Sequence, residues 1–408
     1  MQNLKDSTFS SLSFFSLALV IILIGISGCE NPGSVGTGLT PPGAEVVIDT
    51  VNVNGIDSLH TNANSGGLTY FSAGQYNDPL FGNLSATGML EPSMPSARDT
   101  LHKDDKMMMR IILNGNQVYG DTAASQDFDI YEIGEYWSAT NRKVKDDIKI
   151  DSNAKVGSFT VGQQDSIDVE LSQTWYDKYY NYATDTTLAA SEADSVFQHN
   201  VYGLALVAQN SNKIIPLDAS STRFVITSQD SDTVSVRMAK WAYSLDRSNE
   251  SYPQHSIPLL STFESVFDVN PGLSKIDYDP STVSKTELIL YQNNDAMDQS
   301  LQSGPSTVQR PPEKNVQLHI ISDSLAIPEN IDTPNPFTEG QYNAADGAYH
   351  MDITSLTQQI LLDKFPEGQK FYITFSNNGV ITSSLVYSDS TQSKAPKIVI
   401  THLKNTNK

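Results

Sequence analysis

Ile167-Asp168-Val169-Glu170-Leu171 alternates apolar and acidic side chains with a period of two, as expected of a strand with one face in a core and the other in solvent. It runs into a polar-aromatic segment around Trp175, read as a short helix, and then into the strand Tyr202-Gly203-Leu204-Ala205-Leu206-Val207. Further along, His350-Met351-Asp352-Ile353-Thr354 leads into Leu356-Thr357-Gln358-Gln359-Ile360-Leu361-Leu362 and then into Phe371-Tyr372-Ile373-Thr374-Phe375. Both passages read strand, short helix, strand. Each series is closed by a final strand, Arg237-Met238-Ala239-Lys240-Trp241-Ala242 in one and Ala395-Pro396-Lys397-Ile398-Val399-Ile400-Thr401 in the other. In the first copy an acidic insertion, Ala183 to Ser195, separates helix from strand. A recurring unit of this kind organises a whole chain. The expected fold is all-β with short helices, built as two tandem antiparallel β-sandwiches over residues 45–250 and 251–408.

The remaining strands follow from the same pattern. Val46-Val47-Ile48-Asp49-Thr50-Val51-Asn52-Val53 puts β-branched residues at every second place. In the first series strands are expected at Met107 to Asn114, Phe128 to Ile133, Ser158 to Val161, Ser166 to Leu171, Val201 to Ala208, Arg223 to Thr227 and Thr233 to Trp241. The second series contains Glu287 to Tyr291, Val316 to Ile321, Tyr349 to Ile353, Phe371 to Phe375, Ser384 to Tyr387 and Lys397 to His402. Gly, Asn, Asp and Ser, which turn a chain at low cost, lie between them.

The amino end reads as a targeting segment. Lys5 is followed by an uncharged stretch from Ser7 to Gly28 whose centre, Phe14 to Ile24, is almost continuously apolar. Next comes Ile26-Ser27-Gly28-Cys29, which resembles the bacterial lipobox, an aliphatic residue and two small ones before an acylated cysteine. The resemblance implies a signal peptide over 1–28, diacylglycerol on the sulfur of Cys29, and usually a further chain such as palmitate on the new amino group. More than one acyl chain makes anchoring effectively permanent. The alternative is an uncleaved transmembrane helix, for which the apolar run is slightly short of the roughly 20 residues required. Residues 29–44, rich in Gly, Pro, Ser and Thr, read as a flexible tether.

Composition narrows the partners. The net charge of −21, from 47 acidic against 26 basic residues, argues against nucleic acid and against electrostatic attachment to anionic lipid. Cys29 is the single cysteine, so the folded body has no disulfide to rely on and must be stabilised by its core.

The ending Ser384 to Thr401, a strand with serines, a polar turn and then A-P-K-I-V-I-T, looks like the last strands of the DNRLRE-type carbohydrate-binding module, a jelly-roll domain of extracellular proteins. The arginine-containing signature of that module is absent. Asn77-Asp78-Pro79-Leu80-Phe81-Gly82 is similar to a motif of the Gram-negative surface lipoproteins grouped as domain of unknown function 4270. These resemblances imply two jelly-roll-like domains and a lipid-anchored position at the cell outer membrane, either surface-exposed or periplasmic.

Catalytic chemistry has little support. The seven histidines are scattered without the spacing of a zinc site, no G-x-S-x-G elbow occurs, and Cys29 belongs to the lipid. The protein is expected not to be an enzyme and to need no cofactor beyond the covalent lipid. Calcium has two candidate ligand groups, Asp277 with Asp279 and Asp295 with Asp298, read as closely spaced oxygen donors in loops, with ordinary acidic turns as the alternative. The densest aromatic run holds the candidate glycan or partner contacts Trp175, Tyr176, Tyr179 and Tyr180. At helical spacing Trp175 and Tyr179 share a face, with Tyr182 following, so packing on a sheet explains them without any ligand and is the favoured reading. Trp137 and Trp241 read as core. Asp followed by Ser or Thr and a small aliphatic residue or Thr recurs at positions 49, 57, 99, 121, 165, 185, 194, 232, 323 and 389, more often than composition explains. The triplet looks like an O-glycosylation acceptor of exported proteins, and it also suits strand starts. The expected function is a surface lipoprotein of the cell envelope with a binding role, toward a polysaccharide or as an assembly component of an outer-membrane protein complex.

Overall fold

The computed structural model describes residues 44–405 apart from 60–61, 96–99, 186, 188–189, 229–231, 262–265, 271–272, 274–277, 303, 322–336, 366–369 and 389–393. The proposed signal peptide and nearly all of the tether lie outside the described residues. In chain order the strands of the first half are β1 (Ala44–Asn52), β2 (Asn54–Leu59), β3 (Tyr70–Asp78), β4 (Gly82–Pro92), β5 (Lys106–Ile112), β6 (Tyr119–Asp121), β7 (Gln126–Ile133), β8 (Ile150–Val161), β9 (Ser166–Glu170), β10 (Leu204–Ala208), β11 (Asn212–Asp218), β12 (Arg223–Thr227) and β13 (Thr233–Ser248). Those of the second half are β14 (Ser256–Leu260), β15 (Val266–Asn270), β16 (Val283–Tyr291), β17 (Val308–Gln309), β18 (Asn315–Ile321), β19 (Thr338–Asn343), β20 (Ala348–Asp352), β21 (Lys370–Phe375), β22 (Ser383–Tyr387) and β23 (Lys397–Asn405). The fold is all-β, a sandwich of large antiparallel sheets with short helices.

Chain contacts separate a larger unit, residues 49–400, from a smaller one, residues 1–48 with 401–408, whose described part is extended strand at 44–48 and 401–405. Within the larger unit one sheet runs β23-β16-β20-β19-β18-β21-β15-β2. The other runs β17-β6-β11-β3-β4-β13-β12-β5-β9, with β10 pairing β4 and β7, and β8 extending β7. Strands β3 to β13 belong to the second of these sheets and β15, β16, β18 to β21 and β23 to the first, so sheet membership changes close to residue 250, with strands exchanged across it in both directions. Strand β2, from the start of the body, pairs with β15, and β17, from the second half, pairs with β6.

Each sheet has its own core. The first is built on residues such as Phe71, Phe81, Met109, Phe128, Tyr179 and Phe224, and it takes in Leu260, Met297, Ile381 and Leu385 from the second half. The second is built on Leu288, Val316, Tyr349, Ile373 and Ile398, and takes in Val53 and Ile56 from the first half. The exchange of apolar residues in both directions makes the two cores mutually dependent.

Strands β3 and β4 carry no clean alternation in sequence. Both are buried over most of their length and hold Gly, Ala and Ser where neighbouring strands come close. Gly74 sits at φ +134°, and a Cβ there would overlap the Lys213 carbonyl oxygen on β11. The helix Gln173–Ala183 starts where Ser172 Oγ accepts the Trp175 N–H at 3.3 Å. A second helix, Ala190–Gln198, occupies much of the expected acidic insertion.

Strand β13 shapes the region of interest. Its first part pairs with β12 and its second with β4, and the register shifts between Met238 and Lys240. A strand that passes from one layer of a sandwich to the next does so through such a bulge, which also redirects the side chains beside it.

Candidate functional site

Strands β9, β5, β12 and β13 lie side by side, with inner positions Val169, Met109, Phe224 and Val236 buried in the first core. Their outward positions fall in register. Asp168 stands opposite Arg110, Arg110 opposite Arg223, and Arg223 opposite Arg237, so one row across four strands reads Asp, Arg, Arg, Arg. Side chains directly opposite across an antiparallel pair have Cβ atoms roughly 5 Å apart, and like charges there destabilise the pairing.

The three arginines are not equivalent. Arg110 makes a forked pair with Asp168, Nε to Oδ1 at 2.7 Å and Nη2 to Oδ2 at 2.7 Å. The hydrogen bonds from Arg110 hold the Asp168 carboxyl below the ordinary aspartate range. Arg223 and Arg237 have no ion pair and no side-chain hydrogen bond among the described residues.

These two guanidinium groups line a groove of about 570 Å³ at the β13 bulge, together with Ser220, Thr222, Ser235 and Trp241. The far wall is a tight turn: Asp218 Oδ1 accepts the N–H groups of Ser220 at 2.8 Å and Ser221 at 3.1 Å. Thr222 Oγ1 accepts the Ile112 N–H at 3.2 Å, which ties the turn to β5. The Trp241 indole donates from Nε1 to the Leu68 carbonyl at 2.6 Å, which fixes the ring in place. Trp241 is half-buried: it packs on the first core and also forms part of the groove wall. Trp137 is 4% exposed and donates to the Tyr202 carbonyl. The groove combines fixed positive charge, hydroxyl groups and an aromatic ring, and its volume suits a small ligand.

The residues expected as contacts lie elsewhere. Trp175, Tyr176 and Tyr179 are at most 1% exposed and sit in the first core; Tyr179 packs edge-on against Phe197 at 5.6 Å, and its hydroxyl donates to the Ser93 carbonyl. They offer no face to a sugar or a partner, because the helix Gln173–Ala183 turns them inward. Tyr180 is half-buried beside Tyr176, their ring centroids 6.1 Å apart. Of the calcium candidates, Asp277 lies outside the described residues. Asp279 accepts the Ser281 N–H and hydroxyl in a turn. Asp295 and Asp298 are exposed on the helix Asn294–Leu301, a segment expected as a loop; Asn293 caps it by accepting the Ala296 N–H, and Met297 anchors it in the core. Among the described residues no group of three or more His, Cys, Asp or Glu could hold a metal ion. Of the hydroxyls following the recurrent aspartates, Thr50, Thr100, Ser166, Ser195 and Thr233 are exposed, whereas Thr122 is half-buried and donates to the Thr307 carbonyl.

Two further clusters were not foreseen. In the Asn77–Gly82 motif, Asp78 Oδ1 accepts the N–H groups of Leu80 and Phe81, and the carboxylate takes a forked pair from Arg310 and the Tyr119 hydroxyl at 2.9 Å. Burial, with Asp78 beside it, raises the Tyr119 phenol well above its ordinary range. A second cavity, of about 200 Å³, contains Lys213, which is 1% exposed and donates to the Gly162 carbonyl at 2.7 Å. Burial lowers the Lys213 ammonium, partly opposed by Asp121. The groove arginines carry no local sequence signal: Arg223 and Arg237 come together only through the β12–β13 register and the bulge in β13.

No family model and no curated protein matches this chain.

Proposed function

We propose that this protein is a lipid-anchored component of the bacterial cell envelope, probing the space outside the membrane with a β-sandwich body that binds a saccharide ligand in the groove between β12 and β13 without transforming it. The observation that carries the binding role is the groove itself, where an indole ring and the exposed hydroxyls of Ser220 and Ser235 stand beside two guanidiniums that have no side-chain partner among the described residues. Sugars are recognised by apolar contact of their C–H faces with an aromatic ring together with hydrogen bonds to their hydroxyls, and all of these groups converge here. The anchored position rests on Phe14 to Ile24 followed by Ile26-Ser27-Gly28-Cys29. Among the described residues no helix is long and apolar enough to cross a membrane.

Two experiments test the two parts. Metabolic labelling with palmitate followed by fractionation should place label and protein together in the membrane, and Cys29→Ser should lose both. An unlabelled native protein would contradict the anchor. For the groove, the full chain in detergent should be retained on at least one immobilised polysaccharide, with retention reduced by substitutions on the groove wall and unchanged by substitutions on the opposite edge of the body. Absence of retention on every polysaccharide tested would contradict the saccharide reading.

A further inference from the structure

We infer that the ligand of this groove carries an oxyanion, a carboxylate or sulfate on a sugar, held between Arg223 and Arg237; the inference rests on the saccharide reading above and specifies it. The two guanidiniums project from directly opposed positions of β12 and β13. Such opposition destabilises an antiparallel pair unless something compensates it. An acid on a neighbouring strand does so for Arg110, one position along the same row. No acid does so for Arg223 or Arg237 among the described residues. Scarcity of acids is not the cause, since the chain holds 47 acidic residues against 26 basic ones.

The residues around the pair are selective in kind. Ser220 and Ser235 expose hydroxyl groups beside the pair, while the Thr222 hydroxyl is buried against the Ile112 N–H, and Asp218 in the turn directs Oδ1 to the N–H groups of Ser220 and Ser221 and to the Ser220 hydroxyl. A guanidinium fork matches the two oxygens of a carboxylate or two of a sulfate, and two forks side by side can share a single such group. The strongly negative body repels polyanions at long range, so binding has to come from this local contact. A saccharide with spaced oxyanions and neutral sugar between them meets both conditions, its charge between the arginines and a ring against Trp241.

The test measures binding of the full chain in detergent to three immobilised polymers: hyaluronan, which carries one carboxylate per disaccharide, dextran sulfate, and uncharged dextran. Retention on hyaluronan or dextran sulfate but not dextran is expected, and which of the two is retained identifies the group. The double variant Arg223→Gln/Arg237→Gln should weaken that binding at least tenfold, while Arg110→Gln, whose charge is already matched by Asp168, should leave it unchanged. Circular dichroism and the melting midpoint of each variant establish that it is folded. Binding unaltered in the double variant would overturn the inference. Equal retention on dextran and on the charged polymers would overturn it while leaving saccharide binding intact. Retention on none of the three would overturn both.

Discussion

Arg310 and the Arg223–Arg237 pair show two uses of the same side chain. Arg310 is buried at the junction of the two halves, where it forks onto Asp78 at 2.7 and 2.8 Å, donates to the Met297 carbonyl at 3.0 Å and to Ser300 at 2.8 Å, and lies over the Phe81 ring. Four partners and a carboxylate that itself accepts two backbone N–H groups and a phenol leave nothing for a ligand. Arg223 and Arg237 are exposed, side by side and, among the described residues, without acid partners. The difference teaches which charges hold the fold and which are left available: a buried guanidinium must have every donor matched, whereas one in a groove need not.

The comparison breaks most visibly at the junction. Arg310→Ala leaves the Asp78 carboxylate buried beside its remaining donors, and loss of one member of a buried pair costs about 3–5 kcal/mol. A fall in the melting midpoint of roughly 4–6 °C by calorimetry is expected for a chain of this size. A drop of only a degree or two would show that the junction does not depend on this pair. Gly379 is the next largest effect. It stands at φ +93° in the second half, where a Cβ would overlap the Tyr70 carbonyl oxygen at the start of β3, and its own carbonyl accepts from Ser72 Oγ at 2.7 Å. Gly379→Ala is expected to cost roughly 1–3 kcal/mol in a chemical denaturation series.

A third prediction concerns pH. Glu91, on β4 at the β13 bulge, is pushed up to about 7 by burial, which the ion pair with Lys240 at 3.0 Å only partly offsets. Because the folded value lies above the unfolded one, the site contributes stability fully below about pH 4.5 and loses it as pH rises through about 7. Glu91→Gln should therefore flatten the pH dependence of the melting midpoint between pH 5 and pH 8, with a difference from wild type of at most about 3 kcal/mol across that window. Parallel curves for the two proteins would contradict it. The smallest effect belongs to Arg110→Gln. Its pair with Asp168 is 44% and 42% exposed, and pairs so open to solvent contribute little, so no measurable change in the melting midpoint is expected.

The β class and most strands were legible in the sequence because half-buried antiparallel strands alternate: β5, β9, β12, β16 and β20 all appear where periodicity puts them. Strands β3, β4 and β11 were not, since they are buried along most of their length and carry Gly, Ala, Ser and even Lys213 inside. The helix Asn294–Leu301 was hidden by its polar composition, with only Met297 reaching the core. The aromatic run at Trp175 drew attention by density, yet density does not say which way a helix turns its face. The Asn77–Gly82 motif was visible as a motif, but its partner Arg310 is more than two hundred residues away and no local pattern links them. The groove was missed for a similar reason: Arg223, Arg237 and Trp241 meet only through strand register and a bulge.

The central claim, that the groove arginines are kept for a ligand and not for the fold, is tested most directly by the thermal stability of Arg223→Gln/Arg237→Gln without ligand, measured at low salt beside Arg310→Ala. Removing two opposed like charges should leave the melting midpoint unchanged or raise it, and added salt should shrink any gain. A loss comparable to that of Arg310→Ala would mean that these residues hold the sheet together, and the groove would no longer stand as a binding site on this reasoning.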